Sequence, residues 1–397
     1  MMADVAVPDR LASVRWALLA GNFVIGCGVM VVPGTLNDLA TSLSISVSLA
    51  GQLIAIAAAV MCFGAPLLAG VVAGWDRRRL LMWTLLWFGI GHLLSALAPS
   101  YALLWPLRAL TVLAAAVFTP QAAAAIGFMA EPHERGRAIT FIFLGWSLAS
   151  VLGLPLHSWI GETFGWQQAF ALVGVLSLVS AGWVFAVMPN GVKPAPLSFA
   201  AWRNVLTSPV LMAIVLVTAM SAAGQFTLFS YFAPYYREVL DATPAQVSLL
   251  FAWFGAFGLI GNILLARHID SIGAARAVAF LLASMAASLA LWPLAGGFAS
   301  MLLVLLPWGF GCFASNSAQQ ARLGLAAPVL APALMALNSS AIYFGQAIGA
   351  SGGGALVAAT GGYAALSWIG LAWLVAAIAT SVWAERRIAR TGLADVG

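Results

Sequence analysis

Charged residues are what this sequence has least of. Only 7% of its 397 residues are Asp, Glu, Lys or Arg, whereas a soluble domain carries about a quarter. Hydrophobic residues make up 63% of the chain, more apolar surface than a water-soluble fold can bury. The low charge excludes an ordinary soluble protein and predicts an all-α integral membrane fold, in which each span takes roughly 20 apolar residues.

Cysteines and cofactor motifs are scarce as well. Cys27, Cys62 and Cys312 lie in apolar segments, without the spacing of metal ligands or of a disulfide framework. We interpret them as packing residues and expect no metal and no cofactor. No nucleotide-binding motif is present, so this chain does not use ATP directly. The net charge of +5 is explained by loops beside anionic lipid, and nucleic acid is not an expected partner.

One glycine-rich segment imitates a catalytic motif. Residues 349–353 satisfy the Gly-x-Ser-x-Gly nucleophile pattern around Ser351. All four histidines precede this serine in the chain, whereas a rhomboid protease places its histidine on a later helix. The sequence therefore predicts that the protein is not an enzyme.

Twelve apolar runs follow one another between charged or Pro/Gly breaks. The first is too long for a signal-peptide core and is expected to remain as a helix. The longest break contains three prolines and falls at the midpoint of the chain, so we predict a first bundle at 1–188, a linker at 189–208 and a second bundle at 209–397. The predicted spans are 15–36, 47–73, 80–98, 102–129, 138–160, 166–188, 209–233, 246–266, 275–295, 299–320, 332–358 and 363–384.

The cations are distributed unevenly over these spans. The map places one of the 17 Lys and Arg residues, Arg108, inside a span and one, Arg237, in a loop on the opposite side. The positive-inside rule then puts both termini in the cytoplasm of a bacterial-type inner membrane. The other fifteen share one side: Arg10, Arg15, Arg77, Arg78, Arg79, Arg135, Arg137, Lys193, Arg203, Arg267, Arg276, Arg322, Arg386, Arg387 and Arg390.

The two halves of the chain look duplicated. Residues 196 positions apart match at equivalent places in the predicted topology, which indicates two pseudo-symmetric six-helix bundles in parallel repeat. Transporters built in this way hold their substrate near the bilayer midplane between the halves. The matched pairs are Pro132 and Pro328, Gly153 and Gly349, Gly165 and Gly361, Ala169 and Ala365, and Gly174 and Gly370.

Motif residues carry a family resemblance over nearly the whole chain. Arg108 is followed by the basic loop 131–137 and then by Gly145, Gly153 and Pro155. These residues resemble the major facilitator superfamily, in the twelve-helix drug and metabolite efflux branch, through its fourth-helix arginine, its basic loop and its fifth-helix antiport motif. The resemblance implies alternating access in a protein that usually works as a monomer.

The family's charged loop motif occurs twice. The first copy is matched by Gly70, Arg78 and Arg79, but it has Gly74 where the family usually has aspartate. The second copy is more complete, and the resemblance implies that such loops clamp helix ends in one conformation. It consists of Arg267, Asp270, Gly273 and Arg276.

Proton coupling depends on residues that this sequence supplies only in part. Drug/proton antiporters of this type carry an acidic residue midway along the first helix, where Gly28 and Val29 stand. Asp38 matches a family acidic position at the outer end of that helix. Arg108 would pair with Asp38 or tune a proton site, unless it only reaches the outer interface. His157 replaces a usual family glycine and is a candidate for gating or proton transfer.

Neutral polar residues in apolar spans are the candidates for binding substrate. As a set they suit an uncharged or amphipathic solute such as a drug, sugar or nucleoside, although each could instead bond a neighbouring helix. An uncoupled facilitator or importer remains open, as does, with less support, a membrane sensor or intramembrane enzyme. The candidates are Asn22, Gln52, Gln121, Gln225, Asn316, Gln319, Asn338, Tyr343 and Gln346.

Overall fold

The computed structural model describes residues 7–45, 47–193 and 199–391, and every regular element in these ranges is helical. Twelve segments are long and apolar enough to cross a membrane, as the sequence predicted. The first half of the chain forms α1 (Val7–Ser42), α2 (Val47–Val72), α3 (Arg77–Ala96), α4 (Tyr101–Met129), α5 (Arg135–Leu148), α6 (Leu154–Phe164) and α7 (Trp166–Val187).

The second half repeats this order after a short linker helix. Helix α8 (Phe199–Thr207) lies inside the predicted linker, of which residues 194–198 fall outside the described part. The helices that follow are α9 (Pro209–Phe229), α10 (Phe232–Glu238), α11 (Pro244–Ile272), α12 (Ala274–Leu291), α13 (Phe298–Ala326), α14 (Ala331–Thr360) and α15 (Leu366–Thr391). The fifth candidate span, Pro132–Gly153, contains α5, and the seventh, Pro209–Glu238, contains α9 and α10.

The repeat predicted from the sequence recurs in the helix crossings. A methyl group added at Gly153 would lie 2.8 Å from the Cys27 sulfur of α1, and one added at Gly349 would overlap the carbonyl oxygen of Ala223 in α9. Positions 27 and 223 are themselves 196 residues apart. Small residues at these crossings let the helix backbones approach closely, so the matched glycines mark equivalent contacts.

A second pair of helix crossings is related by the same offset of 196 residues. A methyl group at Gly174 would lie 2.7 Å from Leu93, and one at Gly370 would lie 3.0 Å from Leu289. Gly165 and Gly361 end α6 and α14 with positive φ angles of 94° and 68°, a conformation that glycine adopts without strain. The repeat therefore fixes helix ends as well as crossings.

Proline breaks the regular hydrogen bonding of the fifth span. Pro155 has no N–H to donate to the carbonyl of residue 151, and residues Ala149–Gly153 widen into a π-helical turn. Gly153 closes this turn where α1 crosses it. The glycine and proline of the predicted motif thus shape the turn between α5 and α6.

Arg322 corrects the sequence map, which placed it among the loop cations. It lies within α13 and is only 4% exposed. Its guanidinium donates to Glu385 of α15 at 2.7 Å and to the Ser381 hydroxyl at 2.9 Å. Because the Glu385 carboxylate neutralises its charge, the Arg322 guanidinium can be buried inside the second half.

Replacing Gly349 by valine should destabilise the crossing of α9 and α14. The new side chain would meet the backbone of Ala223 and Thr227, which cannot move aside, and overpacking of this kind costs about 1–3 kcal/mol. The measurement is the thermal unfolding midpoint of the purified protein in detergent. Gly182→Val is the matched control, because nothing lies within 4 Å of a methyl group there. Equal midpoints for the two variants would contradict the assigned crossing.

Candidate functional site

One end of the bundle carries the charged turns 74–79, 131–137 and 270–276, and we call this end the basic face. Asp270 joins the two halves there. Its carboxylate accepts the backbone N–H of Arg137 at 3.1 and 3.2 Å. Arg137 lies in the first turn of α5, where helical N–H groups have no partner within the helix. Asp270 of the second half therefore caps a helix of the first half.

Gly136 makes room for this cap. A methyl group at Gly136 would lie 2.5 Å from Oδ1 of Asp270, so a side chain there would push the carboxylate away. The geometry is compatible with the predicted role of Asp270 in a clamp, which stays a prediction. Gly273, from the same motif, ends α11 with a φ of 88° and so sets the turn behind the aspartate.

The symmetric cap cannot form. Subtraction of the repeat offset brings Asp270 to Gly74, which has no carboxylate to accept a hydrogen bond, whereas addition of the offset brings the donor Arg137 to Ala333, which keeps its N–H. The contact that Asp270 makes between the two halves therefore has no symmetric counterpart at Gly74.

Two further hydrogen bonds join the halves about midway through the membrane. Asn262 of α11 donates to the hydroxyl of Ser147 in α5 at 2.8 Å. Ser340 of α14 donates to the carbonyl of Cys62 in α2, which is free because Pro66 lies four residues later and has no N–H. Both contacts lie roughly 15 Å from the basic face at 1.5 Å of rise per residue.

We call the interface between the two halves the seam. It is closely packed between these two hydrogen bonds and the basic face. A cavity of about 40 Å³ lies between the ends of α4 and α5 on one side and of α13 and α14 on the other, lined by Gly127, Arg135, Ile139, Gly324 and Met335 among others. This space admits one or two water molecules. A cavity of this size is too small to hold an organic solute.

Arg108 is buried in the opposite part of the first half. It is 1% exposed, and its two terminal nitrogens donate to the carbonyls of Gly28 at 2.7 Å and Val29 at 3.0 Å. The Val29 carbonyl is free because Pro33 stands four residues later in α1. Arg108 thus satisfies a carbonyl that the helix itself leaves open.

The pairing of Arg108 with Asp38 that the sequence suggested does not form. Asp38 accepts the backbone N–H of Trp166, the first residue of α7, at 2.6 Å, and so caps that helix. Within the described residues no carboxylate forms an ion pair with Arg108. The hydroxyl of Tyr343 in α14, from the second half, lies near enough to interact electrostatically with Arg108.

His157 lies in the same bundle near His92, which in turn lies near Arg108. His157 is 1% exposed, and its ring lies beside the backbone of Cys27 in α1. His92 is buried beside Arg108 as well, and its Nδ1 lies 2.8 Å from the Phe88 carbonyl. The structure therefore brings Arg108 and both histidines of the membrane interior into one cluster, which Asp38 does not join.

Four of the predicted substrate residues are engaged inside their own halves. Asn22 donates to the Ile142 carbonyl at 3.1 Å. The equivalent positions of the repeat, Thr218 and Asn338, bond each other at 2.5 Å. Gln319 donates to Thr218 at 3.0 Å, and Gln225 contacts Ser221 and Trp308. These amides hold helices together.

Gln121 differs from these residues. It is fully buried in α4, and neither its amide oxygen nor its nitrogen has a partner within the described part of the chain. Asn316, Tyr343 and Gln346 are half-buried, with no hydrogen bond from their side chains to the residues described. Gln52 is exposed at the far end of α2 beside Tyr101, away from this group.

The charged-turn motifs contain residues that the sequence did not single out. Arg77 is fully buried and donates to the carbonyls of Val72, Ala73 and Trp75, which closes the end of α2. The predicted Arg78 binds the Phe185 carbonyl at 2.7 Å. Gly70 faces Trp202 of the linker helix, whereas Arg79, Arg267 and Arg276 are exposed.

Comparison with known proteins identifies the family. The model of the Major Facilitator Superfamily matches residues 18–350, and the chain belongs to this superfamily of membrane transporters, which are not enzymes. It is 31% identical over 350 residues to the inner membrane transport protein YdhP of Escherichia coli (strain K12), covering 87% of this chain and 89% of that protein.

Two other matches agree with this assignment. A probable sugar efflux transporter of Mannheimia succiniciproducens is 27% identical over 339 residues, 84% of this chain and 83% of that protein. The solved structure of the proton:xylose symporter XylE superposes with a TM-score of 0.77 at 16% identity, over 94% of this chain and 95% of that chain. The structural match shows the shared fold.

Replacing Gln121 by leucine separates binding from stability. Removing a buried amide without partners should raise the free energy of unfolding by about 1–3 kcal/mol, while a substrate that bonds this amide would be transported more slowly. Thermal unfolding and transport assays on the same preparation check both effects. Gln225→Leu is the control and should lower stability, because its hydrogen bonds are lost. Unchanged transport by Gln121→Leu would remove Gln121 from the binding site.

Proposed function

We propose that this transporter exports a small neutral or amphipathic organic solute across a bacterial inner membrane by alternating access, as a monomer. The observation that carries the proposal is the seam: it is closed at the basic face, and neutral polar groups without partners lie deeper in the bundle. A solute bound to these groups would be cut off from the basic face in this conformation.

The proposed orientation defines what export requires. We propose that the basic face and both termini lie in the cytoplasm, which the excess of arginine at that face supports. Export then requires a second conformation in which the seam opens at the basic face and admits the solute. The two moving units are residues 1–188 and 209–397, with the linker 189–208 between them.

The substrate class is inferred from the uncharged side chains that have no hydrogen-bond partner among the described residues. Gln121, Asn316 and Gln346 offer amides, and Tyr343 offers a ring with a hydroxyl, a combination that suits sugars, nucleosides or amphipathic drugs. The name of the Mannheimia relative, a probable sugar efflux transporter, supports the same class. A strongly anionic solute is not expected, because Arg108 already donates to two carbonyls.

Proton antiport is the coupling that we propose, with His157 as the carrier and Arg108 as its neighbouring charge. His157 is a buried side chain of the membrane interior that lies beside the Cys27 backbone, and an imidazole is a side chain that can bind and release a proton. The second candidate is uncoupled facilitated transport. It is favoured by the absence of a carboxylate near Arg108 among the described residues, where antiporters of this branch carry one.

Replacing Asp270 by alanine should open the basic face. Loss of a helix cap costs about 0.5–2 kcal/mol, which changes the ratio of the two conformations roughly 2- to 30-fold. Spin labels at Phe128→Cys and Leu325→Cys, both exposed at the ends of α4 and α13, report the separation of the halves by pulsed electron resonance.

The matched control for this experiment is Glu131→Ala. It removes one carboxylate from the same face, and the only ion pair of Glu131 among the described residues is with exposed His133. Longer distances should appear in the Asp270 variant and not in the control. Identical distance distributions in both variants would mean that Asp270 does not hold the halves together.

Efflux from inverted vesicles with and without a protonophore tests the coupling. A panel of sugars, nucleosides and drugs should give at least one solute whose accumulation the protonophore abolishes. His157→Asn should lose this proton dependence, since an amide does not titrate, while His268→Asn, altered at an exposed histidine of α11, should retain it. Transport that ignores the protonophore would favour the facilitator instead.

A further inference from the structure

An open cavity of about 310 Å³ lies at the basic face, away from the substrate seam, beside the turn between α2 and α3. Its lining contains two cations, Arg79 and Lys193, and two indole rings, those of Trp75 and Trp83. Gly74 and Asp76 complete it. This volume is at the lower end of the range for small-molecule sites. The transport cycle proposed above makes no use of it.

Backbone hydrogen bonds build this cavity from two distant segments. The carboxylate of Asp76 accepts the N–H of Gly191 at 2.7 Å and that of Arg78 at 3.0 Å. The N–H of Arg77 donates to the Val192 carbonyl at 3.0 Å. These bonds tie the segment after α7 to the turn before α3, and they place Lys193 beside Arg79.

The three arginines of this turn are used differently. Arg77 and Arg78 are engaged with carbonyls, whereas the side chains of Arg79 and Lys193 have no hydrogen bond or ion pair within the part of the chain described. The carboxylate of Asp76 is engaged with backbone N–H groups. The cavity therefore offers two available positive charges against one carboxylate that is already bonded.

The indole rings place the cavity at the membrane surface. Trp75 is 51% exposed and Trp83 is 58% exposed, and Trp83 follows Arg79 by one helical turn, so the two share a face of α3. Tryptophan prefers the level of the lipid headgroups. A ligand here would have its anionic part on the cations and its apolar part along the indoles.

We propose that this cavity binds the phosphate headgroup of an anionic phospholipid from the adjoining leaflet. Arg79 and Lys193 bind the phosphate, and Trp75 and Trp83 contact the start of the acyl chains. A free phosphate ion would use the same cations but would gain nothing from the exposed indoles, so the lipid is the favoured source.

Native mass spectrometry of the full chain in detergent tests this proposal, with phosphatidylglycerol titrated against phosphatidylcholine of the same acyl chains. Two cations at the surface predict a preference of roughly 30-fold for the anionic lipid. The double variant Arg79→Gln/Lys193→Gln should lose the preference. Arg267→Gln/Arg276→Gln, which removes two exposed cations from the corresponding turn of the second half, should retain it.

Three outcomes would overturn the proposal: no preference in the unaltered protein, equal loss in both double variants, or displacement of the lipid by millimolar inorganic phosphate. Should the double variant fail to fold, Lys193→Gln alone, at an exposed position, gives the same test with a smaller loss. No transport assay is involved, so the result is independent of the proposed substrate and coupling.

Discussion

Every backbone carbonyl inside a bilayer needs a donor, because lipid offers none. Proline has no N–H to donate to the carbonyl four residues earlier. In this chain, other side chains donate to carbonyls that proline leaves unpaired. Pro33 frees the carbonyl that Arg108 binds, Pro66 frees the carbonyl that Ser340 binds from the other half, and Pro155 accompanies the π turn. The buried cation and one bond across the seam are thus both placed by proline.

The duplication supplies two copies of each contact, and function requires that some of them differ. Glycine crossings at 153 and 349 are retained because both bundles need the same close packing. The cap at the basic face is retained once, where Asp270 accepts the N–H of Arg137. It is absent at the equivalent position, because Gly74 has no carboxylate.

The fold could be predicted from the sequence because hydropathy and spacing report it directly: spans are long apolar runs, and a repeat of fixed offset marks equivalent crossings. The site could be predicted only in part. Gln319 and Gln121 look alike in sequence, yet one bonds Thr218 and the other has no partner among the described residues. Likewise Arg77 and Arg79 belong to one turn, but only the folded turn shows that Arg77 is buried. These differences depend on neighbours from distant segments.

Arg108 has an electrical consequence. It lies seven residues into α4, roughly 10 Å along the helix axis, and no carboxylate among the described residues cancels its charge. A unit charge moved across the whole membrane potential changes energy by about 2.3 kcal/mol per 100 mV. If rocking of the first half carries Arg108 through a quarter of that field, a membrane potential of about 100 mV changes the free-energy difference between the two conformations by about 0.6 kcal/mol. This changes the ratio of the two conformations about threefold, whichever solute is carried.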